Sequence, residues 1–186
     1  MKNNIILETA RLILSSLVEK KDTVVDATMG NGNDTIYLAD LVKHVYAFDI
    51  QQEALIETKK RIEDEHIENV TLILDSHENI LKHVIDFKGV IFNLGYLPKG
   101  DKNLTTTKNV TIQTLNTLIP HMKNDDFILL VIYPGHEEGM KESIAINDLL
   151  SLLNQNIYKV LRINLPYQKN YPPYINLVKK IKDESI

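Results

Sequence analysis

A chain of 186 residues, 44% hydrophobic and 25% charged, has the size and composition of one folded domain over residues 1–186, which excludes a disordered or repetitive protein. Because the sequence contains no cysteine, a disulfide framework and a thiolate metal site are also excluded. The net charge of −4 argues mildly against a nucleic-acid binder, although it leaves room for a local basic patch.

The N-terminal residues combine apolar side chains at helical spacing with the charged residues Glu8 and Arg11. This spacing predicts a helix over about residues 4–18. The charges interrupt the apolar run that a secretory signal needs, and no later apolar run is long enough to span a bilayer. We therefore expect a cytoplasmic protein without a membrane partner.

The rest of the chain alternates short apolar runs with helical patterns. Strands are predicted at 23–27, 44–49, 70–74, 89–93, 126–133, 158–165 and 174–180, and helices at 35–42, 51–66, 78–84, 108–121 and 141–153. Such alternation predicts a mostly parallel sheet of seven strands with helices on both faces. No helix separates the last two strands, so a hairpin should make one of them antiparallel.

A glycine-containing loop follows the first strand and opens a helix. It contains Gly30 and Gly32, which allow a ligand to approach the main chain, and the free N–H groups of the helix begin there. Asp49 ends the second strand, where a carboxylate can accept hydrogen bonds from both hydroxyls of a ribose. Strand, loop, helix and carboxylate in this register predict a nucleotide-type cofactor site. The alternative is a plain tight turn before a helix.

The same loop departs from the pattern G-x-G-x-x-G of dinucleotide-binding proteins. Thr28 occupies the first glycine position and the third glycine is missing. Asp34 stands where a pyrophosphate would bind, and the two negative charges would repel each other. S-adenosylmethionine (SAM) carries a cationic sulfonium and an amino-acid tail, which Asp26 and Asp34 suit better. An NAD(P)-linked oxidoreductase, or a nucleotide-binding module without methyl transfer, is the less favoured alternative.

Ser76 and His77 follow the third strand. In class I methyltransferases, which the predicted sheet resembles, this corner reaches the adenine. Ligands of such sheets bind beyond the carboxyl ends of the strands. The alternative is that Ser76, followed by Glu78, only caps a helix.

The fourth strand ends in Asn93-Leu94-Gly95-Tyr96, which resembles the [D/N]-P-P-[Y/F] motif of amino-group methyltransferases. An asparagine oxygen and the next carbonyl can accept the N–H bonds of an amine and aim its lone pair, and Tyr96 can stack on a planar base. Leu94 and Gly95 replace the two prolines of the motif. A simple Asn-Gly turn is the alternative.

Tyr133 and His136 follow the fifth strand at the same edge of the sheet. His136 is a candidate general base or hydrogen-bond donor to substrate, and the alternative is a solvent-exposed loop histidine. The segment 170–174 between the last two strands is either a substrate-facing rim or a rigid turn. The histidines lack metal-ligand spacing and no G-x-S-x-G elbow occurs, so we expect neither a metal nor hydrolase chemistry.

Taken together, these motifs resemble a family of small bacterial proteins named as rRNA methylases, which includes the tRNA methyltransferase that completes 5-methylaminomethyl-(2-thio)uridine at the wobble position. The resemblance covers nearly the whole chain. Its motifs are DATMGNGNDT (26–35), FDIQ (48–51), DSHE (75–78), NLGYLPKGDK (93–102), YPGHEEG (133–139) and NYPPY (170–174). Lys99 departs from it, because a glycine is expected at that position.

The resemblance implies a class I SAM-dependent methyltransferase with a Rossmann-like α/β fold that ends in an antiparallel hairpin. It implies that SAM donates a methyl group to the side-chain amine of 5-aminomethyl-(2-thio)uridine 34. The anticodon stem-loop of tRNA would then be the partner, and the family relationship also suggests a homodimer. A methyltransferase acting on rRNA or on a small-molecule amine is the alternative.

The resemblance also assigns residues to the site. The cofactor residues are Asp26, Gly30, Asn31, Gly32, Asn33, Asp34, Asp49, Gln51, Ser76, His77 and Asn93. The catalytic residues are Asn93, Tyr96 and His136, and the other substrate residues are Leu94, Gly95, Lys99, Lys102 and Tyr133. The amine must lose a proton, for which His136, Asp101 or desolvation are candidates. Lys99, Lys102, Lys108 and Lys169 are candidate phosphate contacts, or ordinary surface lysines.

Overall fold

The computed structural model describes residues 4–95 and 108–183. The helices are α1 (Ile5–Leu17), α2 (Asn33–Ala39), α3 (Gln52–Asp64), α4 (Ile80–His83), α5 (Lys108–His121) and α6 (Glu137–Ser151), with one 3₁₀ turn at His77–Asn79. The strands are β1 (Thr23–Asp26), β2 (His44–Asp49), β3 (Val70–Leu74), β4 (Gly89–Leu94), β5 (Phe127–Ile132), β6 (Tyr158–Ile163) and β7 (Tyr174–Lys180).

The seven strands form one sheet in the order β3-β2-β1-β4-β5-β7-β6. The first five strands are parallel to their neighbours, whereas β7 is antiparallel to both β5 and β6. This order confirms the predicted mostly parallel sheet with a C-terminal antiparallel hairpin. The order reverses between β1 and β4, and in open α/β sheets ligands bind at such a switch point.

The core lies on both faces of the sheet. Every residue of β5 is buried, as expected for a central strand that helices cover on both sides. The helices α1 and α2 pack on one face, and α4, α5 and α6 pack on the other. In α1 the buried residues are Ile6, Ala10 and Leu14, one turn apart, so the helix turns a single apolar stripe towards the sheet.

Two helices begin earlier than the sequence pattern predicts. The helix α2 begins at Asn33 and ends at Ala39, two and three residues before the predicted limits of 35–42. The helix α6 begins at Glu137 instead of residue 141, because Nδ1 of His136 accepts a hydrogen bond from the N–H of Gly139 and caps the first turn. The glutamates that follow the cap also favour a helix N-terminus.

In the part of the chain that the structure describes, no helix is both long enough and apolar enough to cross a membrane.

Candidate methyltransferase site

Those predicted site residues that the structure describes lie at the carboxyl edge of the sheet, mostly beyond the ends of β1, β2, β4 and β5. Parallel strands place their carboxyl ends at one edge, so loops distant in sequence become neighbours. The loop after β1 lies centrally and contacts the two flanking strands. The N–H of Met29 donates to the carbonyl of Phe48 in β2, and that of Ala27 donates to the carbonyl of Ile91 in β4.

Asp26, at the end of β1, is a buried carboxylate with polar partners but no cationic one among the described residues. Oδ2 accepts a hydrogen bond from Oγ1 of Thr35 at 2.6 Å, and Oδ1 accepts one from the N–H of Thr28 at 3.2 Å. Burial, and then the negative charge of Asp34, raise the pKa of Asp26 to about 7. A cationic ligand at this corner would favour the ionised form.

The loop is shaped by its second glycine. Gly32 adopts the left-handed conformation with φ of 74°, and a Cβ at this position would lie 2.7 Å from Cγ2 of Thr58 in α3. Arg61, one turn further along α3, donates to the carbonyl of Asn31 and to Oδ1 of Asn33. The helix α3 therefore packs directly against the loop after β1, and a side chain at Gly32 would push the loop away from α3.

Asp49, at the end of β2, is held in place by main-chain N–H groups. Gly30 donates to Oδ2 at 3.0 Å and Gln51 donates to Oδ1 at 2.9 Å. Burial raises the pKa of Asp49, and the backbone hydrogen bonds oppose that rise. Each carboxylate oxygen can accept a further hydrogen bond, so the carboxylate can serve the two hydroxyls of a ribose. Gln51 itself is buried at the start of α3.

Ser76 and His77 have different positions at the corner after β3. Oγ of Ser76 accepts a hydrogen bond from the N–H of Glu78 at 3.4 Å, which confirms that Ser76 caps the short helix. His77 is 7% exposed, and its ring contacts that of Phe92 edge-on at 5.5 Å between centroids. Nε2 of His77 has no hydrogen-bond partner among the described residues. Burial lowers the pKa of His77 to about 4, so the ring is neutral at physiological pH.

Asn93, on β4, is joined to the loop after β1 through both its main chain and its side chain. Its N–H donates to Oγ1 of Thr28 at 2.7 Å, and Nδ2 donates to Oδ2 of Asp34 at 3.2 Å. The side chain of the next residue, Leu94, is buried in the core, so only its main chain can face a substrate. The threonine that replaces the first loop glycine thus connects two strands of the site.

Arg11 of α1 reaches the site although the sequence patterns did not single it out. Nε and Nη2 lie 3.3 and 3.1 Å from Oδ1 of Asp34, and Nη2 also donates to the carbonyl of Asn33 at 3.1 Å. Asp34 therefore contacts an arginine through one oxygen and Asn93 through the other. No local motif marks this contact, because Arg11 and Asp34 are brought together only when α1 packs on the sheet.

Tyr133 and His136 lie beyond the end of β5. Burial, and then the charge of Asp34, raise the pKa of Tyr133 to about 12, so its phenol keeps its proton. The interpretation of His136 as a solvent-exposed loop histidine is wrong, because the side chain is half-buried and caps α6. Since Nδ1 accepts from the N–H of Gly139 at 3.1 Å, the proton of the neutral ring is on Nε2.

The remaining predicted residues are as follows. Gly95 is described, and a side chain there would lie 3.7 Å from the ring of Tyr133. Lys108 and Lys169 are exposed. Tyr96, Lys99, Asp101 and Lys102 lie outside the described residues.

The donor set fits SAM. The carboxylates of Asp34 and Asp49 suit the cationic groups and the ribose hydroxyls of SAM, and a cation bound here would also favour the ionised form of Asp26. When bound there, SAM supplies an electrophilic methyl group. The described residues contain no group of three histidine, aspartate or glutamate side chains that could hold a metal ion.

Comparison with known proteins agrees with this interpretation. The family model described as "Putative rRNA methylase" matches residues 45–179. A structure described as "putative rRNA-methylase", from Clostridium thermocellum, is 38% identical with a TM-score of 0.90, covering 97% of this chain and 99% of that one. A methyltransferase structure from Streptococcus mutans, solved in complex with SAH, is 34% identical with a TM-score of 0.88 over 97% and 99% of the two chains.

A curated relative, the chloroplastic tRNA (mnm(5)s(2)U34)-methyltransferase of Arabidopsis thaliana, is 34% identical over 150 residues, 73% of this chain and 55% of that protein. The chain thus spans about half the length of this relative. The comparisons confirm the predicted class I fold and SAM as the cofactor. The chain belongs to the rRNA methylase family of SAM-dependent methyltransferases.

Proposed function

We propose that this protein methylates the side-chain amine of 5-aminomethyl-(2-thio)uridine at the wobble position of tRNA, with SAM as the donor. The observation that carries the proposal is the orientation of Asn93. Because Nδ2 donates to the carboxylate of Asp34, Oδ1 is left as an acceptor, and no described residue donates to it. An acceptor fixed beside the cofactor loop is what an amine needs for alignment.

In this mechanism Oδ1 of Asn93 and the main-chain carbonyl of Leu94 accept the N–H bonds of the amine. A primary alkylamine is mostly protonated at neutral pH, so it must lose a proton before it attacks. While His136 caps α6, Nδ1 is already used as an acceptor and Nε2 carries the proton. His136 is therefore a hydrogen-bond donor in this arrangement, and burial of the amine in the site favours its neutral form.

The segment 164–173 between β6 and β7 supports a nucleic-acid substrate. It lies at the same edge of the sheet, because β7 begins opposite the end of β5. A side chain at Gly135 would lie 3.6 Å from the carbonyl of Tyr171, which brings this segment beside the loop of His136. Tyr167 is 97% exposed, Tyr171 is 68% exposed, and Lys169 lies exposed between them. Exposed aromatic and basic side chains suit the bases and phosphates of single-stranded RNA.

The test is nucleoside mass spectrometry of bulk tRNA from a strain that lacks the gene, incubated with the protein and SAM. We expect 5-aminomethyl-(2-thio)uridine to become its methylaminomethyl form, and the Asn93→Ala variant to lose this activity by orders of magnitude at saturating SAM. A methyl group on another nucleoside would contradict the wobble assignment. No methylation of tRNA, with SAM binding intact, would favour the alternative of rRNA or a small amine.

A further inference from the structure

Arg11 contacts the oxygen of Asp34 that faces away from Asn93, and the role given to it here rests on the proposed role of Asn93 as the acceptor for the amine. We propose that Arg11, on the N-terminal helix, is a positioning residue for methyl transfer, which acts through Asp34 to fix the orientation of the Asn93 amide.

Arg11 holds the carboxylate of Asp34 in a fixed position. Two nitrogens of the guanidinium approach Oδ1 of Asp34 at 3.3 and 3.1 Å, and Nη2 also donates to the carbonyl of Asn33. The planar guanidinium can reach a side chain and a neighbouring carbonyl at once, which the single ammonium of lysine does less well. The carboxylate is therefore held both in position and in rotation about its side-chain bonds.

Arg11 is itself held in place by Tyr37 of α2. Its guanidinium lies 5.1 Å from the ring centroid of Tyr37, and the hydroxyl of Tyr37 donates to the carbonyl of Arg11 at 2.9 Å. The arginine side chain is 39% exposed, and an arginine so exposed would otherwise sample many rotamers. Stacking on Tyr37 reduces the entropy that is lost when the ion pair forms.

Asp34 in turn orients the side-chain amide of Asn93, which is proposed to accept the hydrogen bond of the amine. A carboxylate only accepts hydrogen bonds, so Oδ2 of Asp34 selects the NH₂ side of the Asn93 amide at 3.2 Å. The opposite orientation would place two oxygens against each other. Loss of Arg11 would let Asp34 rotate, and the Asn93 amide would then lose its preference for one orientation.

A purely structural role for Arg11, as a contact that holds α1 on the sheet, predicts different results. The apolar stripe of Ile6, Ala10 and Leu14 already packs α1 against the sheet. A half-exposed ion pair adds little to stability. A structural contact would also affect turnover whether or not Asn93 is present, whereas a positioning residue acts only through Asn93.

The experiment compares Arg11→Met and Arg11→Lys in the wild-type protein and in the Asn93→Ala variant, with single-turnover rates and calorimetric SAM affinity. We expect Arg11→Met to lower the rate about tenfold or more, since small misplacements of a reacting group are costly, and to change the SAM Kd about fivefold or less. Arg11→Lys should retain part of the rate. In the Asn93→Ala background Arg11→Met should have no further effect. An equal decrease in both backgrounds would overturn the proposal.

A second readout needs no methyl acceptor, so it separates failure of this inference from failure of the proposed substrate. The side-chain NH₂ signals of Asn93 in a ¹H–¹⁵N spectrum, assigned by their loss in Asn93→Ala, should shift and exchange faster in Arg11→Met. Arg162→Met is the matched control, because Arg162 also stacks on a tyrosine, Tyr174, at 4.9 Å but lies on β6. Signals that do not change in Arg11→Met would overturn the proposal.

Discussion

The main-chain N–H of Gly30 donates a hydrogen bond to Oδ2 of Asp49 at 3.0 Å, which connects the loop after β1 to the end of β2. The other oxygen of Asp49 accepts from the N–H of Gln51 at 2.9 Å. Asp49 therefore does two things. It holds the cofactor loop against the end of β2, and each of its oxygens keeps a lone pair that can accept a hydrogen bond from the ligand.

Replacement of Asp49 should weaken SAM binding more than it weakens the fold. Hydrogen bonds to a charged group contribute about 1.5–3 kcal/mol each, so loss of two ribose contacts in Asp49→Ala should raise the SAM Kd by at least about 100-fold. Asp49→Asn retains one acceptor oxygen and should raise it about tenfold. Calorimetry measures both values. Asp64→Ala, at an exposed aspartate on α3, is the control, and an unchanged Kd in Asp49→Ala would remove Asp49 from the site.

Local patterns predicted much of this arrangement. The glycine loop, Asp49 and the end of β4 were found because strand, loop and helix follow one another directly in sequence, and parallel strands must bring these ends together. The contacts made by Arg11 and Thr28 could not be found in that way. Each depends on side chains that meet only after the helices pack on the sheet, and no spacing in the sequence records them.

The predicted start of α6 at residue 141 was wrong for a related reason, because the helix begins at Glu137. Histidine is not among the preferred capping residues, and Gly139 is typical of a turn. The structure shows why a glycine is required there, since a Cβ at Gly139 would lie 2.2 Å from the main-chain oxygen of Tyr133. The cap lets the helix begin at Glu137, although Gly139 in the first turn has a low helix propensity.

Asp26 should make the stability of the protein depend on pH. Folding raises its pKa from 3.8 to about 7, so between these values the folded protein binds more protons than the unfolded chain. The contribution of Asp26 to the free energy of unfolding therefore falls as pH rises through this range, by up to about 1.4 kcal/mol per pH unit. Asp26→Asn keeps the shape of the side chain without the charge. Its Tm should rise relative to that of the wild type between pH 5 and 7.5.

Thermal unfolding across this pH range provides the measurement, with Asp64→Asn as a surface control. A Tm difference between Asp26→Asn and the wild type that stays constant with pH would show that Asp26 does not titrate as described. SAM should reduce the difference, because its positive charge favours the ionised carboxylate that the folded protein otherwise disfavours.

The exposed rim between β6 and β7 should contribute to RNA affinity without affecting the cofactor. Stacking of a base on an aromatic ring is worth about 1–3 kcal/mol, so Tyr171→Ala should weaken tRNA binding by about fivefold or more, and Tyr171→Phe should not. Lys169→Ala should reduce the slope of log K against log salt concentration by about one, the value expected for the loss of one phosphate contact. Titration of labelled anticodon stem-loop at several salt concentrations measures both effects.

Lys20→Ala is the control for Lys169→Ala, because Lys20 is exposed between α1 and β1, at the opposite edge of the sheet. Equal salt dependence in the two lysine variants would mean that Lys169 makes no specific phosphate contact. If neither Tyr171→Ala nor Lys169→Ala changes tRNA affinity, the rim is not an RNA surface, and the small-molecule acceptor gains support.

His136 has a structural role and a proposed chemical role, and a pair of substitutions can separate them. His136→Ala removes the cap of α6 and should lower the free energy of unfolding by about 1 kcal/mol, measured by urea denaturation. His136→Asn can accept from the N–H of Gly139 as the imidazole does, so it should restore most of that stability. It cannot place a donor where Nε2 lies, and turnover should therefore stay about tenfold below that of the wild type. If turnover recovers together with stability in His136→Asn, the imidazole acts only as a cap, and turnover does not depend on a hydrogen bond donated from Nε2.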